Sequence, residues 1–146
     1  AATNHPELLD RAVWRRFAQV VEVAYPNAEG VRLLLARHLP PDAKISAPAL
    51  DRLVAAFEGM SPADILTVLN NARARSVLDS ERVLTFEDIL ADLYRHRWPE
   101  KHDPAEAIAF LLGHGASRRG TTLALSVSGR QVRAKQSRLR ESDVLE

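Results

Sequence analysis

Gly59-Met60-Ser61-Pro62-Ala63-Asp64-Ile65 is the stretch whose reading decides the fold. Glycine tolerates the left-handed conformation that closes a helix. Ser61 can cap a new helix, Pro62 suits its first turn, and Asp64 stands three residues past the cap, where a carboxylate can reach back. One helix therefore stops and another starts within a few residues. The new helix runs through Ile65, Val68, Leu69, Ala72 and Val77.

Working outward, the same signals recur. Asn27 caps a helix from Ala28 to about Leu39, with Val31, Leu34, Leu35 and His38 or Leu39 on one face, stopped by Pro40-Pro41. Ser46 opens the next, carrying Leu50, Leu53, Val54 and Phe57 inward as far as Gly59. Thr85-Phe86-Glu87-Asp88 repeats the capping spacing and opens a helix with Ile89, Leu90 and Leu93, ending before Pro99. Four amphipathic helices of this length can close a small core. Ahead of them Phe17–Tyr25 is β-branched and aromatic and stops at Pro26, which predicts one strand, with no partner strand in the chain.

Arg95–Asp103 is a polar connector interrupted by Trp98-Pro99. Beyond it Pro104–His114 reads as a helix, Gly115-Ala116 as a break, Ser117–Leu125 as a second helix, Ser126-Val127-Ser128 as a turn, and Gly129–Leu139 as a third helix.

Composition agrees with a mostly helical chain. Its 146 residues are 46% hydrophobic and only 5% aromatic, with alanine and leucine abundant. The absence of cysteine excludes disulfides and thiolate–metal sites and accords with a cytoplasmic setting. No apolar run reaches the length of a membrane span. The five histidines, at 5, 38, 96, 102 and 114, lack ligand spacing, so no metal site is expected. Charge is unevenly spread. Residues 1–114 carry 13 basic and 16 acidic side chains, whereas 115–140 carry seven basic ones and no acid. That break marks a second functional unit whose natural partner is a polyanion.

The N-terminal stretch Ala2-Thr3-Asn4, the Leu9-Asp10 turn and the pair Arg15-Arg16 before Phe17 suit phosphoryl transfer. That chemistry asks a protein for placed cations and hydrogen-bond donors around a charged transition state. An Asn amide offers both donor and acceptor and can hold a water beside a phosphate oxygen. The alternative for Asn4, Pro6 and Asp10 is ordinary turn and cap chemistry.

Taken together, this ordered set and the Gly59–Ile65 and Thr85–Ile89 spellings resemble the second half of an AAA+ ATPase core with its helical lid. The resemblance covers residues 1 to about 97. It implies that Asn4 is sensor 1 and that Arg15 or Arg16 is a finger reaching the neighbouring subunit's nucleotide. Pro62 stands where the family usually has Gly, and the usual spelling places two more residues between the paired arginines. Gly59, Pro62 and Ala63 are implied as nucleotide neighbours, with helix stop and cap as their alternative roles, as for Asp64. The chain has no Gly-x-x-x-x-Gly-Lys-Ser/Thr loop and no apolar run ending in Asp-Glu. It is therefore expected to be the C-terminal part of a larger ATPase, inactive alone, with ATP and Mg2+ held by the parent protein in a homo-oligomeric ring, a hexamer by resemblance.

The tail resembles a helix-turn-helix unit, with Leu125, Val127 and Val132 inward. Its recognition helix would present Arg130, Gln131, Arg133, Lys135 and Arg138 to DNA. Arg and Gln match guanine and adenine edges bidentately, and Lys neutralises phosphate. Thr121, Thr122 and Gly120 depart from the usual spelling, and a solvated basic helix packed against protein is the alternative. The expected organisation is residues 1–25 as a remnant of the α/β core, 26–98 as the lid and 99–146 as the basic tail. Functionally the chain reads as the sensor, finger and lid part of a remodelling ATPase. The alternatives are a loader recruited to DNA by its tail, or a non-catalytic interaction fragment.

Overall fold

The computed structural model describes residues 3, 5–78, 82–101 and 103–143. A 3-10 turn at Pro6–Leu8 and the short α1 (Arg11–Trp14), capped by Asp10, precede a segment that forms no strand. The strand expected over Phe17–Tyr25 is thus corrected: no described residue offers it a hydrogen-bonding neighbour. Val21, Val23 and Tyr25 stand exposed. An extended segment without a paired ladder leaves its backbone to water.

The helices begin where their caps are spelled. Asn27 Oδ1 accepts from the Gly30 N–H at 2.9 Å and opens α2 (Ala28–His38). Ser46 opens α3 (Ala47–Ala56) in the same way. At α4 (Pro62–Leu78), the Asp64 N–H donates to Ser61 Oγ at 3.1 Å, while the Ser61 hydroxyl donates to the Asp64 carboxylate at 2.6 Å. α5 (Phe86–Arg97) carries a full capping box between Thr85 and Asp88. These four helices enclose Leu35, Leu53, Phe57, Ile65, Val68, Ile89, Leu90 and Leu93, all without solvent contact. Val77 does not join them: it lies exposed, and Ser76 is buried instead, its hydroxyl donating to the Arg73 carbonyl at 2.9 Å.

α5 is the central helix, and Ile89–Tyr94 is buried on all sides, including one carboxylate. Buried Asp92 accepts from Arg75 Nε at 2.9 Å and from an Arg95 guanidinium nitrogen at 3.2 Å. Pairing of this kind is the condition for keeping a charge out of water.

After Trp98, α6 (Pro104–Gly113), α7 (Arg118–Leu125) and α8 (Gly129–Asp143) pack together, α8 running four residues past the expected end. Val132, Ile108, Leu111 and Thr121 form their inner layer, with Leu125 and Val127 half-buried. Thr121, out of place for an apolar layer, has its hydroxyl bonded to the Ser117 carbonyl at 2.8 Å. Ser126 closes α7 in the left-handed conformation, with φ of 54°. Leu111 and Ala116 belong to the same buried cluster as the four preceding helices. Tyr94, Trp98 and Phe110 fill the joint, their ring centroids 5.1 to 5.6 Å apart.

Candidate functional site

Three groups of residues were expected to carry function. Asn4 lies outside the described residues. Arg15 and Arg16 sit in the turn that ends α1, held by backbone bonds from Arg15 to Arg11 and from Arg16 to Val13 at 3.4 and 3.0 Å. Both are exposed. Among the described residues neither is in an ion pair. No hydrogen bond there ties residues 5–25 to α2–α8. Both guanidinia are therefore presented outward on a local turn.

The second group lies at one corner of the four-helix body. Gly59 has φ of +76° with open space around it, ending the α3 turn. Pro62 and Ala63 are exposed in the first turn of α4. With only small side chains there, the N-terminal end of the helix can be approached closely, and its N–H groups and dipole favour an electron-rich ligand. Asp64 is both cap partner of Ser61 and a neighbour of α5, its Oδ1 lying 3.4 Å from His96 Nε2.

The third group lines α8. Arg130, Arg133 and Arg138 are exposed, and Lys135 is half-buried. Gln131 is exposed, yet its Oε1 accepts from the Ser128 N–H at 2.9 Å and from the Ser128 hydroxyl at 2.8 Å. It therefore serves as a cap of α8, and bidentate pairing with a base would have to displace those bonds. The Ser-x-x-Gln spacing signals this in the sequence. Arg118 and Arg119 at the start of α7 and Arg140 on α8 extend the exposed basic surface.

Sequence reasoning missed the cluster where α4 and α5 meet the end of α7. A cleft of about 210 Å³ is lined by Arg75, Arg82, Asp88, Asp92 and Arg95. Asp88 and Asp92 lie beneath their arginine partners, which makes it a compensated ion-pair cluster. It also missed Glu87, whose carboxylate accepts from both the N–H and the hydroxyl of Ser117. No local pattern announces a contact across thirty positions. No described helix is long and apolar enough to cross a membrane.

No family model and no solved structure matches the chain. It is 32% identical over 135 residues to the ATP-dependent zinc metalloprotease FtsH of Syntrophus aciditrophicus, a match covering 81% of this chain and 18% of that protein. It is 32% identical over 92 residues to the proteasome-activating nucleotidase of Methanothermobacter thermautotrophicus, covering 62% of this chain and 22% of that one. A further FtsH, from Lancefieldella parvula, is 37% identical over 93 residues, covering 61% and 14%. The chain thus spans about a quarter or less of the length of the relatives it matches.

The zinc in the FtsH name finds no fit here. The sequence has no His-Glu-x-x-His, and among the described residues no three His, Cys, Asp or Glu side chains converge. Both FtsH and the nucleotidase are AAA+ ATPases. With that relationship, the capped helix order and the mostly α architecture agreeing, the chain is a C-terminal segment of an AAA+ ATPase.

Proposed function

We propose that this segment supplies the sensor, the trans-acting arginine and the nucleotide-contacting lid to an AAA+ ring that hydrolyses ATP to remodel a partner. The observation that carries the reading is the outward Arg15-Arg16 turn in a chain whose relatives are ATP-dependent enzymes. In a ring, such a turn can reach the neighbouring subunit's nucleotide. One arginine there would neutralise charge that develops on the transferred phosphoryl group, a contribution of roughly 10³–10⁵ in rate where measured. Asn4 would orient the attacking water in its own subunit. Gly59, Pro62 and Ala63 would let the start of α4 approach the base and sugar. ATP and Mg2+ would be held by the phosphate loop and acidic pair of the parent protein. The proposed setting is a cytoplasmic homo-oligomer, a hexamer by analogy, in which lid movement reports nucleotide state.

The test is ATP turnover of the full-length protein. Replacing the finger arginine, Arg15 or Arg16, with Ala should abolish turnover and leave ATP binding largely intact, because a finger acts in the transition state. Turnover unchanged in both single variants would remove the finger assignment.

A second reading is favoured by the exposed basic surface of α7 and α8. In it the three-helix unit binds duplex DNA in helix-turn-helix fashion and recruits the ATPase to it. Val132 anchors α8 from beneath, and the left-handed Ser126 makes the turn between α7 and α8.

A further inference from the structure

Three side chains of the four-helix lid grip the backbone of the basic three-helix unit at its turns. Glu87, in the first turn of α5, accepts from the Ser117 N–H at 3.0 Å and from the Ser117 hydroxyl at 2.8 Å, holding the start of α7. The fit is close: a Cβ on Gly120 would overlap the Glu87 carboxylate. Arg52 on α3 donates to the Gly115 carbonyl at 3.0 Å. Gly115 has φ of +79°, and a Cβ there would overlap the Arg52 guanidinium. At the other end of α7, Arg95 donates to the Ala124 carbonyl at 3.4 Å. Beneath these contacts Leu111 and Ala116 share one buried cluster with Leu53, Ile89 and Leu90.

Units that move independently meet through thin polar surfaces. Here an apolar core runs through the junction, and a side chain at either glycine would displace the Glu87 carboxylate or the Arg52 guanidinium that bridges the two parts. We infer that the lid and the three-helix unit turn as one rigid body, locked by the Glu87–Ser117 contact, so that nucleotide bound at the α4 corner and DNA bound along α8 are linked. The linkage rests on the DNA reading given above; the lock does not. α8 packs on α6 and α7, which pack on α5 in turn, so any lid rotation that follows the nucleotide state carries the basic helix with it. By reciprocity DNA held on α8 then biases the lid toward one nucleotide state. Glu87 is a positioning residue in this device, since it touches neither ligand.

The experiment uses the full-length protein with cysteines outside this segment replaced, the segment itself having none. Spin labels on Arg37→Cys in α2 and Ser137→Cys in α8, both exposed positions, report the distance across the junction. One narrow distance, identical with a non-hydrolysable ATP analogue and with ADP, is expected. A distance that broadens or changes with nucleotide would overturn the rigid body. In parallel, the affinity for a mixed-sequence DNA duplex should differ between the two nucleotide states by roughly fivefold or more, within the usual range of coupling. Glu87→Ala should bring that ratio toward one, and Glu87→Gln, which keeps an acceptor for Ser117, should retain most of it. Equal affinity in both states of the parent protein would overturn the linkage. Absence of DNA binding would overturn it together with the DNA reading, and the label distance would still decide the lock.

Discussion

Arg97, in the last turn of α5, donates to the carbonyl of Ala56 at the end of α3 at 2.6 Å. The last carbonyls of a helix have no partner within it, and this one is satisfied by a guanidinium from across the lid. The contact sets the end of α5 beside the turn that leads into Gly59 and α4. It ties the proposed nucleotide corner to the helix that carries the basic unit.

Arg97→Ala should therefore destabilise the chain by about 1 kcal/mol. That is below the usual 1.5–3 kcal/mol for a hydrogen bond to a charged group, because Arg97 is exposed and partly screened. A urea titration should show a lower midpoint with an unchanged slope. An unmoved midpoint would mean the contact contributes nothing.

Tyr94 gives a pH signature. Burial first, and then the Glu106 carboxylate bonded at 3.3 Å, raise its hydroxyl above the ordinary tyrosine range. The unfolded chain then loses this proton at lower pH than the folded one. The stabilisation is complete below about pH 10, the unfolded value, and is lost as pH rises through the folded value. Lys101, raised by its bond to Glu106, acts in the same direction, so the comparison is between the parent and Tyr94→Phe. The variant should cost about 0.5–1.5 kcal/mol at neutral pH and flatten the decline in stability above pH 10. Denaturant midpoints at a series of alkaline pH values measure this, and parallel curves for the two proteins would contradict it.

Much of the fold was legible because helix starts are written locally. Asn27, Ser46, Ser61 and Thr85 each cap the helix expected of them, and the bonds span three positions or fewer. The apolar faces followed from helical spacing, except at Val77, where the end of α4 projects past its neighbours and Ser76 turns inward. The strand at 17–25 failed for the opposite reason. Its composition is that of a strand, but a strand exists only through pairing, and the described chain offers none. The candidate site divides along the same line. The cap residues around Gly59 and the basic face of α8 are local features. The grip of Glu87 on Ser117, the close approach of Glu87 to Gly120 and the ion pairs over Asp92 join distant positions, and nothing in the neighbouring sequence signals them. Gln131 carries two readings, because one side chain suits both base recognition and capping, and here its Oε1 accepts from Ser128.

The basic face makes a quantitative prediction about salt. If α8 lies on duplex DNA, log affinity should fall linearly with log salt, and each phosphate contact removed should lower the slope by about one. Arg133→Ala with Lys135→Ala should weaken binding more than Arg11→Ala or Arg82→Ala, since Arg82 already faces Asp88 at 3.5 Å. Arg130→Ala should relax preference at particular base pairs by roughly 1–3 kcal/mol if it reads an edge, and lower affinity uniformly if it touches only phosphate. A titration at low salt showing no binding would leave the surface as a contact for protein.

Whether an arginine of the Arg15-Arg16 turn acts on the neighbouring subunit's nucleotide is decided by mixing two inactive full-length proteins. One carries the finger substitution, Arg15→Ala or Arg16→Ala, and the other a substitution in the phosphate loop of the parent protein. In a mixed ring an intact arginine meets an intact nucleotide site at some interfaces. ATP turnover, absent in each protein alone, should return in part on mixing and depend on their ratio. No recovery at any ratio, in rings shown to contain both proteins, would contradict it.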